Sequence, residues 1–204
     1  TAATMELAKE ATRFDGVKLP DDVARRLLLL KLSLPLPAPA DPKLQTELAE
    51  TAVWLESTYG KGKYTAAGKA AQDIGALSRT LATSRKPEEL LEAWKGWHAI
   101  SPPMRPKYER LVSLGNQGAR DLGFKDLGAL WRSNYDMPPE AFSAEVERLW
   151  QQVRPFYESL HTYVRSRLVE KYGPKVVPAD GPIPAHLLGN MWAQEWANIY
   201  DIAA

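Results

Sequence analysis

Between residues 138 and 172 the apolar side chains Phe142, Val146, Leu149, Val153, Phe156, Leu160, Tyr163, Val164 and Leu168 follow one another mostly at steps of three and four. Such spacing puts them along one side of an α-helix, whereas a strand would scatter them over both faces of a sheet. The segment therefore predicts one long helix from about Pro138 to Tyr172, with that row as its buried face. Pro155 lies in its interior and predicts a kink, because proline removes one ladder hydrogen bond and crowds the preceding turn. Gly173-Pro174 stops it. A chain committed to so long a helix has to bury it against other helices or a sheet.

The rest of the sequence favours helices. Residues 3–14 form a short amphipathic pattern, broken by Asp15-Gly16. Pro20, Asp21 and Asp22 suit the first turn of a helix near 20–33, with Val23, Leu27, Leu30 and Leu34 on one face. Leu28 and Leu29 widen that face and predict burial on two sides. Pro35 to Pro39 reads as an extended connector. A helix from Asp41-Pro42 to about Tyr59 carries Leu44, Leu48, Ala52 and Leu55 in phase. Residues 63–72 hold few large apolar groups and read as loop. Further helices are predicted near 73–83, 86–97, 104–121 and 184–200, and Val176-Val177 as a short extended stretch. The fold class is all-α.

Composition excludes more than it assigns. A net charge of +1, from 26 basic and 25 acidic residues, offers no excess with which to bind nucleic acid. No apolar run approaches the roughly 18 residues of a spanning helix, so no membrane partner is expected. The polar start at Thr1 shows no leader, whether one was removed or never existed. Cysteine is absent, which excludes disulfides and thiolate ligands. The three histidines, His98, His161 and His186, form no His-Glu-x-x-His, the spacing that sets two imidazoles on one helical face beside a carboxylate base. No metal is expected in this chain. Gly60-Lys61-Gly62-Lys63 lacks the full spacing of a phosphate loop and reads as a solvated turn. Seven tryptophans predict a Trp-rich helical core, since large aromatics dominate burial.

Three blocks carry a resemblance. The run Gly181-Pro182-Ile183-Pro184-Ala185-His186-Leu187-Leu188-Gly189-Asn190-Met191-Trp192-Ala193-Gln194, continuing through Trp196 to Asn198-Ile199-Tyr200-Asp201, resembles a motif of the angiotensin-converting-enzyme family of zinc peptidyl-dipeptidases. Thr83-Ser84-Arg85, Leu90-Leu91, Trp94 and Gly96-Trp97 are similar to a second block of that family. Trp131-Arg132-Ser133 with Tyr135 is similar to a third. Leu55 to Tyr64 resembles the bacterial branch. The resemblance covers essentially the whole chain, with the blocks in the family's order.

The resemblance implies a helical ellipsoid split by a deep cleft, in which zinc-activated water removes dipeptides from free peptide C-termini. Residues 1–204 would be a single N-terminal region, supplying the lid and part of one cleft wall. By the same resemblance, Gln194 helps bind the C-terminal carboxylate of the peptide substrate and Trp192 lines the cleft beside it. Tyr135 contributes to a chloride site. His98 stands where two-chloride members carry arginine, a departure that puts the other chloride in doubt. Animal members close a small disulfide loop after the Lys61–Tyr64 region; here, without cysteine, packing alone would hold it. The zinc ligands and the general base lie in the family beyond position 204, so no residue here is assigned a catalytic role. Zinc and possibly chloride would belong to the complete enzyme, and the compartment would be periplasmic or secreted.

Two functional classes follow. The chain is a portion of a zinc dipeptidyl carboxypeptidase, partnered by the other half. Alternatively it is a truncated, non-catalytic helical protein that binds a peptide or partner. In both, the predicted helix 184–200 sets Leu188, Trp192 and Trp196 on one face, with Leu187 and Met191 flanking. That face predicts cover by the other half or by self-association.

Overall fold

The computed structural model describes residues 2–204. It is helical almost throughout: α1 (Ala2–Thr12), α2 (Asp21–Leu32), α3 (Pro42–Lys61), α4 (Ile74–Thr83), α5 (Pro87–His98), α6 (Arg105–Asp121), α7 (Leu127–Arg132), α8 (Pro139–Tyr172) and α9 (Tyr200–Ala203). Two two-residue strands, β1 (Lys63–Tyr64) and β2 (Gln72–Asp73), form an antiparallel ladder pairing Lys63 with Asp73 and Tyr64 with Gln72. The described residues group into two compact units, one of residues 1–56 and 105–149, the other of 57–104 and 150–204.

The first unit is built around Met5, Ala8, Leu32, Ala119, Leu122, Leu127 and Leu130, with Leu28, Leu34, Leu36 and Phe124 packed on them. The connector after α2 is free of helix and strand, as its prolines dictate, and bends at Pro35 and Leu36. Contrary to the two-sided burial expected of α2, Leu29 is exposed, and it is Lys31 and Leu32 that go inside. Lys31 is tolerated there because its ammonium reaches Asp15 Oδ1 at 2.7 Å while its stem lies along apolar neighbours. Helix α7 has no apolar period long enough to announce it. Its start is fixed by Asp126, whose carboxylate accepts the Ala129 N–H at 2.7 Å.

The second unit packs α4 and α5 against the C-terminal part of α8 and the segment that follows it. Leu77, Leu81, Leu90, Ala93, Trp97, Val164, Leu168, Val177, Ile183, Leu187, Leu188, Met191, Ile199 and Ile202 share one core. Asp73 caps α4 by accepting the Ala76 N–H at 2.9 Å, and Pro87 with Glu88 and Glu89 opens α5. Residues 63–72, expected to be loop held by packing alone, are held by the β1–β2 ladder and by the Lys69–Glu92 ion pair at 2.6 Å.

Helix α8 runs its full 34 residues through Pro155, about 51 Å at the usual rise. Its apolar row is not the buried face it was expected to be. Val146, Leu149, Val153, Phe156, Leu160 and Tyr163 are exposed, Phe156 by 70%, and only Val164 and Leu168 are buried. Periodicity reports which side of a helix is apolar; it does not report that anything lies against it. The tryptophans depart from expectation for the same reason. Trp97 is 3% exposed, but Trp54, Trp131, Trp150 and Trp192 are exposed and Trp94 and Trp196 half-buried.

Candidate functional site

The segment after Gly181 was expected to be a helix over 184–200. It is instead a folded loop: a 3-10 turn at Ala185–Leu187, bends through Trp192, an irregular stretch to Trp196, and a second 3-10 turn at Ala197–Ile199 leading into α9. The same side chains therefore do not share one face. Leu187, Leu188, Met191 and Ile199 turn into the core of the second unit, while Trp192 is 56% exposed and Gln194 is exposed. The helical expectation fails at two backbone positions. Gly189 has φ +85° and Ala193 φ +53°, left-handed values that end a right-handed helix. At Gly189 only glycine fits for a second reason: a Cβ there would lie 2.8 Å from Cβ of Asn198. Val176-Val177, expected extended, lies in a turn with both N–H groups donating to Gly173 O at 3.1 Å, as proline-led chain reversals after a helix commonly do.

Hydrogen bonds fix the loop from inside. Asn190 Oδ1 accepts the Trp192 N–H at 2.9 Å, and its Nδ2 donates to Glu195 O at 2.7 Å. Asn198 Nδ2 donates back to Gly189 O at 3.0 Å. Arg85, just before α5, ties the loop's far end down: Nη2 donates to Asn198 O and to Asp201 Oδ1, both at 2.8 Å, and Nε to Asp201 Oδ2 at 3.2 Å. Against Arg85, the Asp201 carboxyl is held below its ordinary 3.8. The Thr83–Trp97 block forms the floor under the loop, with α5 packed against the turn at Ala185–Leu187. Trp97 is locked by its indole N–H donating to Tyr59 O–H at 2.9 Å, the two rings meeting edge to face at 4.8 Å. Two of the resembling blocks are thus one structural unit, an association no spacing in the sequence displays.

Tyr135 belongs to the first unit. It closes a 3-10 turn, Ser133–Tyr135, that caps α7. Its ring is 59% exposed and stacks on Phe142 of α8 at 4.1 Å. The turn is anchored on either side. Trp131 Nε1 donates to Pro35 O at 2.6 Å, and Asp136, in a left-handed conformation, takes a two-pronged ion pair from Arg25. Gln194 and Trp192 are brought into one loop, with Tyr135 on the other unit.

Histidine 98 stacks on Trp94 with ring centroids 4.0 Å apart, and its Nδ1 is 2.7 Å from Trp94 O, so Nδ1 carries the proton. His161 and His186 both titrate below the ordinary 6.5, chiefly through burial, with Arg165 beside the first and Lys95 beside the second adding to the shift. Such histidines favour the neutral fold. The unfolded chain takes up protons first, so stability present above pH 6.5 is lost as pH falls through the depressed folded values. Unfolding free energy measured by urea titration is expected to decline from pH 7 to pH 5, and the His161→Gln/His186→Gln double variant to flatten that decline. An unchanged slope would refute it.

Among the described residues no three His, Asp or Glu side chains gather to hold a metal ion. The residues here do not fit a zinc site, and no hydrolytic step is derived from them. Nor, among the described residues, is any helix long and apolar enough to cross a membrane.

Residues 1–204 match the family described as angiotensin-converting enzyme, and the chain belongs to that family. Over 126 residues it is 51% identical to the angiotensin-converting enzyme of Bos taurus, an alignment covering 61% of this chain and 10% of the relative. It is 48% identical over 127 residues to the angiotensin-converting enzyme-like protein Ace3 of Mus musculus, covering 62% and 17%. With the angiotensin-converting enzyme of Theromyzon tessulatum it shares 49% over 124 residues, covering 60% and 20%. The aligned stretch is thus between a tenth and a fifth of each of these relatives.

Proposed function

We propose that residues 1–204 form one region of a peptidyl-dipeptidase, the lid and part of a cleft wall, and that Gln194 and Trp192 contact a peptide substrate at its free C-terminus. The observation that carries this is the braced loop of residues 189–198. It holds an amide and an indole outward from a rigid floor while its aliphatic side chains are spent in the core. A neutral amide donor suits a carboxylate whose charge is met by a cation elsewhere. In the complete enzyme a zinc ion would supply the activated water, held by residues outside this chain. Tyr135, exposed on a firmly anchored turn, is our candidate for a chloride contact. The stretch from Leu55 to Tyr64, the end of α3 and the first strand of the ladder, supports by its resemblance placing the chain in the bacterial branch, and with it a periplasmic or secreted setting.

The test uses the complete gene product and a peptide assayed with a free and with an amidated C-terminus. Release of dipeptides from the free form alone is expected. Gln194→Ala should raise KM by the equivalent of about 1–3 kcal/mol, the cost of one lost charge-assisted hydrogen bond, and alter kcat little. No dipeptide release, or a KM unmoved by the substitution, would overturn the proposal.

A further inference from the structure

The loop that carries Gln194 has a keystone of its own. We infer that Asn190 is a positioning residue, whose side-chain amide closes residues 190–195 into the one shape that presents Trp192 and Gln194 together; this rests on the reading of Gln194 as a substrate contact. The geometry is reciprocal. The amide oxygen accepts the N–H two residues ahead, at Trp192, and the amide nitrogen donates to the carbonyl five residues ahead, at Glu195. Gln194 sits inside the ring so closed. Its neighbour Ala193 is left-handed at φ +53°, a conformation disfavoured for a residue with a Cβ unless its surroundings impose it. The Asn190–Glu195 bond spans that residue, and the bond to the Trp192 N–H fixes the backbone just before it, so that together they impose it.

No other side chain does both tasks here. Aspartate in this position would keep the acceptor for Trp192 but set a carboxylate against the Glu195 carbonyl. Alanine would remove both bonds. Asn198 braces the loop at a different point, Gly189 O, and holds the entry rather than the tip. The hydrophobic anchors Leu187, Leu188 and Met191 are buried in the core of the second unit and take no part in the Asn190 bonds. The tip therefore loosens without unfolding the floor.

Four forms of the complete gene product test this: unsubstituted, Asn190→Ala, Gln194→Ala and the double variant. Hydrogen exchange resolved to the 189–196 segment is measured beside kcat and KM for a peptide with a free C-terminus. Asn190→Ala is expected to accelerate exchange in that segment alone, to raise KM on the order of tenfold, and to leave kcat within about twofold. Because Asn190 acts in large part through Gln194, the double variant should cost clearly less than the sum of the two single substitutions, a non-additivity that a merely structural residue would not give. Asn190→Asp, which keeps one bond, should retain slow exchange at the Trp192 amide yet still raise KM, and it serves if the alanine variant does not fold. Additive KM effects, or an unchanged KM despite faster exchange, would overturn the inference. If Gln194→Ala itself leaves KM unmoved while Asn190→Ala loosens the segment, the substrate role of Gln194 has failed and the bracing has not.

Discussion

Replacing Leu187 with alanine is expected to lower the stability of the chain by about 2–5 kcal/mol, the range for emptying a fully buried leucine site. Leu187 is 1% exposed and sits in a core that draws on α4, α5, α8 and α9. The cavity would open among elements that cannot close over it without moving several of their neighbours. Trp192→Ala, five residues on, is expected to change stability by no more than about 0.5 kcal/mol, because its indole already faces solvent. Urea denaturation followed by far-UV circular dichroism gives both values. Equal losses at the two positions would mean that Trp192 is as fully covered as Leu187, and the loop described above would be wrong.

The second large effect is expected at Arg85. Its guanidinium gathers four partners: Ala82 O at 3.1 Å, Ser84 O at 2.9 Å, Asn198 O and the Asp201 carboxylate. Asp201 is well exposed, so the ion pair itself contributes modestly. The bonds to three carbonyls matter more, since losing the guanidinium strips charge-assisted partners from backbone groups around the α4–α5 junction and the 197–199 turn. Arg85→Ala is expected to cost about 1–3 kcal/mol. It should also speed hydrogen exchange across 197–203 ahead of α4 and α5. Arg85→Lys should not restore it, because an ammonium cannot fork to so many acceptors. Uniform loosening of the whole second unit, with no lead at 197–203, would show that Arg85 does not act as a local tether. The Asp201 share of this stability is present above pH 3.8 and lost as pH falls through its lowered folded value.

Much of the helical architecture was legible because its signals are local. Pro87-Glu88-Glu89 opens α5, Gly173 closes α8, and Leu44, Leu48 and Leu55 mark the inner side of α3. Two things were not legible. The α8 row from Val146 to Tyr163 is written as a buried face and is exposed, since a sequence encodes the apolar side of a helix without encoding its partner. The 184–200 stretch has helical spacing at Leu188, Trp192 and Trp196, yet Gly189, Ala193 and two asparagine side chains turn it into a loop. The asparagines were the available clue, because Asn bonds its own backbone and competes with the helical ladder. Asn190 closes a short Asx-type turn on the Trp192 N–H two residues on, but the other partners lie five and nine residues away, beyond what a turn motif displays. Of the candidate site residues, Gln194, Trp192 and Tyr135 came only through resemblance; the bracing roles of Asn190 and Arg85 emerge from distances.

A loop whose path is set by Gly189, Ala193, Asn190 and Asn198 leaves Gln194 with little structural duty. Its side chain is outside the core and outside the bracing bonds. Divergence at this position is therefore nearly free of folding constraint: glutamine can give way to arginine, histidine or glutamate with the backbone unchanged. On the proposed reading, the terminal group of a peptide that such a surface selects becomes a property one codon can rewrite, while Gly189, Asn190 and Asn198 keep the path of the loop.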